Sequence, residues 1–325
     1  MRALGGVAGR PWAGWAAALA LVALAPFVLR PIDIFLLSLA MVYAISAIGL
    51  TVLTGYSGQV SLGQVAFFAV GAYAGTWFQQ VLHLPFLLAL VAAGACAAAL
   101  AVVVGLPIVR FRGLYLAVAT LALSQGVVTM LTIWDYTGGY LGFKIPQAEV
   151  AGYAIDTDLK FYGFVATALA LTVLLVRNLL RSRMGRALSS IRQSEVGAQA
   201  AGINIVHYKI QAFAVSAFLT SCSGLLYGSL LRTVTIDQFS LWISLAFLFM
   251  IFVGGQRSIP GAILGSIFYV FTPQLLRDIA FTRPFPDVPN IVFGLIFMLV
   301  FLFAPNGLAG IATGSRWASR LGARR

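Results

Sequence analysis

Reactive side chains are scarce in this 325-residue chain. Its two histidines, His83 and His207, fall in predicted loops far apart in sequence, and no His/Cys spacing suits zinc. Cys96 and Cys222 lie inside apolar runs, where a thiol reads as a small packing group rather than half of a disulfide. The three lysines, Lys144, Lys160 and Lys209, follow Phe, Leu and Tyr, so none belongs to a Gly-Lys-Ser/Thr loop that cradles phosphate. The chain does not bind ATP in that way. If ATP drives it, a separate subunit must supply the hydrolysis. What remains is one polar, basic stretch and one rich in glycine and glutamine.

The basic stretch runs from Arg181 to Lys209 and carries a single acid, Glu195. Met184, Ala187, Leu188 and Ile191 recur at i, i+3, i+4 and i+7, which predicts a short helix with a narrow apolar stripe. Ser194 can cap a second helix, Glu195 falls in its first turn, and Gly202 suits its end. Asn204 can then cap the helix that follows. A helix–turn–helix held between two apolar segments is a docking device.

The second stretch, Thr54 to Gly75, crowds Gly55, Gly58 and Gly63 where a helix should end or break. Gly71 and Gly75 follow as a small-xxx-small packing face. Gln59 and Gln64 are amides beside apolar helix and need partners or water. A broken helix lining a solute path accounts for these residues; so does a cytoplasmic turn followed by a tightly packed span. Gly58-Gln59-Val60-Ser61-Leu62 is echoed by Gly255-Gln256-Arg257-Ser258-Ile259, a short hint of an internal repeat. Two further polar stripes, Thr120 with Ser124 and Ser216 with Thr220, Ser223 and Tyr227, either glue helices or line a path.

Composition determines what must position these residues. With 61% hydrophobic and 9% charged residues and a mean hydropathy of +0.96, the chain belongs in a membrane. Ten apolar segments are predicted to span it: 12–29, 32–54, 64–82, 86–109, 113–133, 159–180, 209–231, 238–254, 259–276 and 288–305. The first resembles a signal peptide, but Pro26 follows its Ala23-Leu24-Ala25 triplet and its length suffices to span, so it reads as uncleaved. The net charge of +12 sits in short loops, which indicates topology rather than a nucleic-acid partner. With the N-terminus inside, inner segments hold fifteen basic residues and one acid, and outer segments hold six and eight. Both termini and the 181–209 stretch are therefore expected to be cytoplasmic. No charge falls near the centre of a span, so a coupling acid of the kind proton-driven carriers use is missing. The expected fold is all-α and polytopic: one transmembrane domain over 1–325, with a basic inner tail at 313–325.

At this point a family resemblance emerges. TGYSGQVSLGQVAFFAVGAYA at Thr54–Ala74, RGLYLAVATLALSQ at Arg112–Gln125 and the segment from Ser182 to Phe218 resemble the permease subunits of branched-chain amino acid ABC importers. VGGQRSIPGAILGS at Val253–Ser266 and APNGLAG at Ala304–Gly310 fit the same pattern, of the LivH/LivM type and closer to LivM. The resemblance implies that Glu195 to Gly202 corresponds to the Glu-Ala-Ala loop, with Val196 and Gly197 replacing the usual alanines. Arg183, Gly185, Arg186, Arg192, Glu195 and Gly202 would then form the surface that meets an ATPase. Gly55, Ser57, Gly58, Gln59, Ser61, Gly63, Gln64, Thr120, Ser124, Ser216 and Thr220 are the candidates for a helix break or solute path. TGGYLGFKIP at Thr137–Pro146 departs from the family's usual run.

The implied partners are a second permease subunit (LivH-like, or a second copy), two ATPase subunits that bind ATP and Mg, a periplasmic binding protein, and membrane lipid. The implied location is the bacterial inner membrane. The solute would be leucine, isoleucine, valine or a related amino acid, with urea, short amides or aromatic acids as the alternative. An intramembrane enzyme would need clustered acids, histidines or a nucleophile–base pair at one membrane face, and a secondary carrier a coupling acid; the sequence has neither.

Overall fold

The computed structural model describes residues 30–109, 111, 113–133, 142–146, 149–150, 153–155, 157–278, 288–303 and 307. The expected first span at 12–29 and the tail at 313–325 lie outside these residues, as do the first half of Thr137–Pro146 and all of Ala304–Gly310 but Gly307.

Helix α1 (Pro31–Leu50) begins with proline, whose fixed φ suits a first turn, and with Asp33 accepting from the Arg30 N–H. It continues as a π-helical turn over Thr51–Tyr56. Three more spans follow: α2 (Gln64–Gln80), α3 (Phe86–Ile108) and α4 (Leu114–Ile133). Next come α5 (Asp158–Arg181), the short pair α6 (Arg183–Gln193) and α7 (Glu195–Ala200), and the long α8 (Ile205–Leu231). The last are α9 (Leu241–Gly254), α10 (Ile259–Asp278) and α11 (Val288–Phe303). Nine of the ten predicted segments thus correspond to described helices. Seven described helical stretches are long and apolar enough to cross a membrane. Helices α2, at 17 residues, and α11, at 16, are shorter than a full span.

Two predicted boundaries move for local reasons. The segment at 209–231 starts four residues early, at Ile205, because Asn204 Oδ1 accepts from the His207 N–H at 3.1 Å and caps the helix there. The segment at 238–254 opens with a 3-10 turn over Ile236–Gln238 and restarts at Leu241.

Helices α1 and α8 form the centre. Helix α8 packs on α1, α2 and α3, while α5, α9 and α10 also pack against α1. In a membrane, packing rather than water exclusion holds spans together, and small residues let backbones approach. Here Gly71 meets the Ser221 backbone and Gly224 the Phe68 backbone, so a Cβ at either would collide. A Cβ on Gly75 would lie 2.7 Å from the Leu225 side chain, and one on Gly94 would lie 2.7 Å from the Phe218 ring. Hydroxyls add interhelical bonds: Ser223 to the Val42 carbonyl at 2.6 Å and Ser221 to the Ala93 carbonyl at 2.9 Å. Tyr43, Phe68, Tyr227 and Phe247 fill the space between, with Tyr43 stacked on Tyr227 at 5.8 Å.

Helix α8, at 27 residues, is about 40 Å long. At its far end, away from α6 and α7, two small antiparallel ladders appear that the all-α reading did not include. Strand β1 (Phe143–Lys144) pairs with β4 (Thr233–Val234), and β2 (Glu149–Val150) with β3 (Tyr153–Ala154). The first ties the loop after α4 to the loop after α8, and the second is a hairpin within the loop after α4.

Candidate functional site

The 181–209 stretch folds as its residue pattern implies. Helix α6 buries Gly185, Ala187, Leu188 and Ile191, with Met184 half-buried. Gly185 lies against the Leu180 backbone, which lets α6 turn back sharply from α5. The Ser194 hydroxyl accepts from the Gly197 N–H at 3.0 Å and caps α7, so Gly197, despite its low helix propensity, completes the cap. Gly202 stands at φ +77, a left-handed conformation that a side chain would strain. Arg183, Arg186, Val196 and Gln199 are exposed, and Arg186 also donates to the Arg181 carbonyl at 3.1 Å.

The resemblance places Glu195 on the surface that meets an ATPase. Within the chain it pairs with Lys209 on α8, Nζ to Oε1 at 2.6 Å, and the lysine side chain is only 8% exposed. The physical reason is enclosure: a buried ammonium needs a counter-charge, and Glu195 is the acid within reach. Beside the pair lies a cleft of about 560 Å³, lined by Val109, Gln199, Gly202, Ile203 and Val206 among others.

Arg192 departs from the expected surface. The resemblance places it among the residues that meet an ATPase, yet it points into the bundle. Its Nη1 donates to the Thr54 carbonyl at 2.8 Å and to the Gly55 carbonyl, and its Nη2 donates to Gln256 Oε1 at 3.1 Å. Burial and the nearby Arg257 guanidinium hold its pKa below the ordinary arginine value.

The Gly-rich stretch is a discontinuous helix. Thr51 Oγ1 bonds the Ala47 carbonyl at 2.9 Å, and Ser57 Oγ bonds the Leu53 carbonyl at 2.6 Å, competing for main-chain acceptors. The Ser57 N–H reaches back to Val52, widening the last turn. Gly58, at φ +74, ends it. Residues 57–63 then cross to α2 without regular structure, and nearly all their polar groups are used internally. Gln59 donates to Ser57 Oγ at 2.8 Å and to the Lys209 carbonyl at 3.3 Å, and Thr54 Oγ1 donates to the Gln59 carbonyl at 3.0 Å. The Gly63 N–H reaches Ser61 Oγ at 3.2 Å, and the Leu62 N–H reaches Thr120 Oγ1 at 3.0 Å. Gln64 donates to Ser216 at 3.1 Å and accepts from Thr220 at 2.9 Å, while Ser244 accepts from the Val65 N–H. The structure thus brings both sequence stripes to the break: Gln59, Ser61, Gln64, Thr120, Ser124, Ser216 and Thr220 are all buried. A Cβ on Gly63 would lie 2.8 Å from the Thr120 carbonyl oxygen.

The echoed segment lies directly beside the first. Gly255 takes φ +116 where Gly58 takes +74. Ser258 accepts from the Gly261 N–H at 3.1 Å, as Ser61 accepts from Gly63. Gly55 packs on the Gln256 backbone, Tyr56 Oη donates to the Arg257 carbonyl at 3.1 Å, and the Arg257 guanidinium lies 5.5 Å from the Tyr56 ring centroid. The two turns therefore form one platform at the end of the bundle that carries α6 and α7.

Sequence reasoning assigned no role to Gln256, although the Gly-Gln-x-Ser echo pointed at it. Gln125 reads in sequence only as a neighbour of the Thr120 and Ser124 stripe. Helix α4 turns Thr120 and Ser124 inward but exposes Ala122, Gln125, Gly126 and Thr129 near mid-span, at i, i+3, i+4 and i+7. That spacing was available in the sequence.

Comparison with known proteins gives concordant matches. A family profile described as the permease component of branched-chain amino acid transport systems matches residues 33–302. The high-affinity branched-chain amino acid transport system permease protein LivM of Escherichia coli is 30% identical over 308 residues, covering 87% of this chain and 71% of that protein. Its Salmonella typhimurium counterpart is 29% identical, covering 90% and 73%. A probable LivM from Methanocaldococcus jannaschii is 26% identical over 220 residues, covering 62% of each. No solved structure matches the chain.

Proposed function

The chain belongs to the family of permease components of branched-chain amino acid transport systems, and from that premise we propose how it works. It forms one half of the translocation unit of an ATP-driven importer in the bacterial inner membrane. Its solute is leucine, isoleucine, valine or a close relative, handed over by a periplasmic binding protein. ATP and Mg bind to two separate ATPase subunits, consistent with three lysines that all lie outside any phosphate-cradling motif. The observation that carries this reading is the α6–α7 pair, capped at both starts and exposing Arg183, Arg186, Val196 and Gln199. A rigid two-helix projection of this kind suits a groove on a partner that moves as a body.

The second permease subunit covers α4. A Gln125 amide facing lipid at mid-span would cost roughly 2 kcal/mol or more, so that face calls for protein or water. Gly126 has open space around it and permits close approach. The solute path then runs between the two subunits, past this face.

The test is purification of the tagged chain from native membranes. An associated ATPase pair and a second permease are expected. In proteoliposomes, hydrolysis and uptake should rise with binding protein loaded with leucine, isoleucine or valine. Stimulation by urea, an amide or an aromatic acid alone would reassign the solute. Absence of an ATPase partner would overturn the importer reading.

A further inference from the structure

The importer reading accounts for the outer face of α6 and α7, but not for the residue that α6 sends inward. Arg192 sits one position from the end of its helix. It does not face the groove of a partner, and it does not join the Glu195–Lys209 pair. Its stem crosses Gly58: a Cβ on that glycine would lie 3.4 Å from Arg192 Cγ and 3.8 Å from its Cβ. Its guanidinium then spans two separate turns, taking the Thr54 and Gly55 carbonyls from one and Gln256 from the other.

Each turn ends a helix at a positive-φ glycine and starts the next. The first follows a π-helical turn, whose carbonyls are freed from the ordinary helical ladder and open to another donor. A planar guanidinium carries five donors in a fixed fork, so it can hold several such acceptors at once in a set geometry.

We propose that Arg192 is a positioning residue, the strap through which motion of α6–α7 reaches both broken helices, α1–α2 and α9–α10, together. Without it, α6 would still be tied to the bundle by its apolar stripe and by α5. The stripe can slide; three directed hydrogen bonds cannot. Tyr56 and Arg257, in contact with each other, keep the two turns in register so that one side chain can move both. This inference rests on the reading of α6–α7 as the ATPase-docking element.

The experiment uses the reconstituted complex with its ATPase and binding protein. Arg192→Met keeps the stem over Gly58 and removes the guanidinium. The expected result is normal complex yield, basal hydrolysis close to wild type, and stimulation by loaded binding protein reduced about tenfold or more, because a charge-assisted contact that favours one state is lost. Uptake should fall in step. Arg192→Lys, with one charged donor group, should recover part of the stimulation. Gln256→Leu, which leaves α6 untouched, should lose part of it.

A second measurement replaces the strap covalently. The 3.8 Å separation of the Cβ positions matches the usual value of about 3.8 Å for a disulfide, so Gly58→Cys with Arg192→Cys should cross-link on oxidation. The oxidised complex should regain stimulation that Arg192→Cys alone lacks, and reductant should abolish it. Wild-type stimulation in Arg192→Met would overturn the strap, as would loss of the assembled complex, or a disulfide that fails to form or restores nothing. If the wild-type chain itself holds no ATPase, the docking reading fails first.

Discussion

At the scale of single residues, the acid and the bases of the 181–209 stretch divide their work by depth. Glu195 is the one acid there, and the sequence marked it as important without showing what it meets. Its partner, Lys209, reads in sequence as one more inner basic residue. Only the fold shows that the ammonium is enclosed and depends on Glu195. Hydrogen bonds to charged groups contribute roughly 1.5–3 kcal/mol, so Glu195→Gln should destabilise the α7–α8 junction by about that much. The double variant Glu195→Gln/Lys209→Met should cost less than the sum of the single changes, because no charge is left stranded. Thermal unfolding of the four variants in detergent checks both. Gly55 sets a stricter limit. Its Cβ position is filled by the Gln256 backbone, which cannot swing aside like a flexible side chain. Gly55→Ala should therefore cost about 1–3 kcal/mol by overpacking. Gly63→Leu should abolish uptake while complex yield stays near normal; loss of the complex would favour a purely packing role for that residue.

Elements were more legible than contacts. The stripe of α6, the Ser194 and Asn204 caps and the Gly202 stop all follow from local chemistry, and the structure places each as the sequence implied. The π-helical turn was hidden because it arises from competition among Thr51, Ser57 and the main chain rather than from a period. The pairing of the two Gly-Gln-x-Ser turns was hidden too: 196 residues lie between Gly58 and Gly255, and only packing of α1 against α9 and α10 brings them together. Two outcomes are expected at this scale. Ser194→Ala should loosen α7 by about 1 kcal/mol, seen as faster amide exchange over Glu195–Ala200 with α6 unchanged. Arg186→Glu puts a negative charge on the outer face and should weaken ATPase docking. Full ATPase association and full uptake in that variant would show that Arg186 is not part of the docking surface.

For the molecule as a whole, charge placement gave an orientation and the structure supplies residues with which to test it. Gln193 and Gln199 are exposed at the α6–α7 end, and Thr157 is exposed at the other. Cysteine placed at Gln193 should react with an impermeant reagent only after the membrane is opened, whereas cysteine at Thr157 should react in intact cells; the reverse pattern would invert the topology. The exposed mid-span face of α4 predicts that cysteine at Gln125 will cross-link to a second permease subunit. The central position of α1 has a consequence for how the protein is made. This helix is walled in by α5, α8, α9 and α10, so its neighbours emerge from the ribosome long after it does. During synthesis α1 must wait in lipid with Ser38, Tyr43, Ser46 and Thr51 facing hydrocarbon, polar groups that end up buried in protein. Hydroxyls can bridge that interval by bonding their own backbone, as Ser38 does to Ile34 and Thr51 to Ala47. An arginine or aspartate at Ser46 would have no such refuge, and the defect should appear as failed insertion before any question of transport arises.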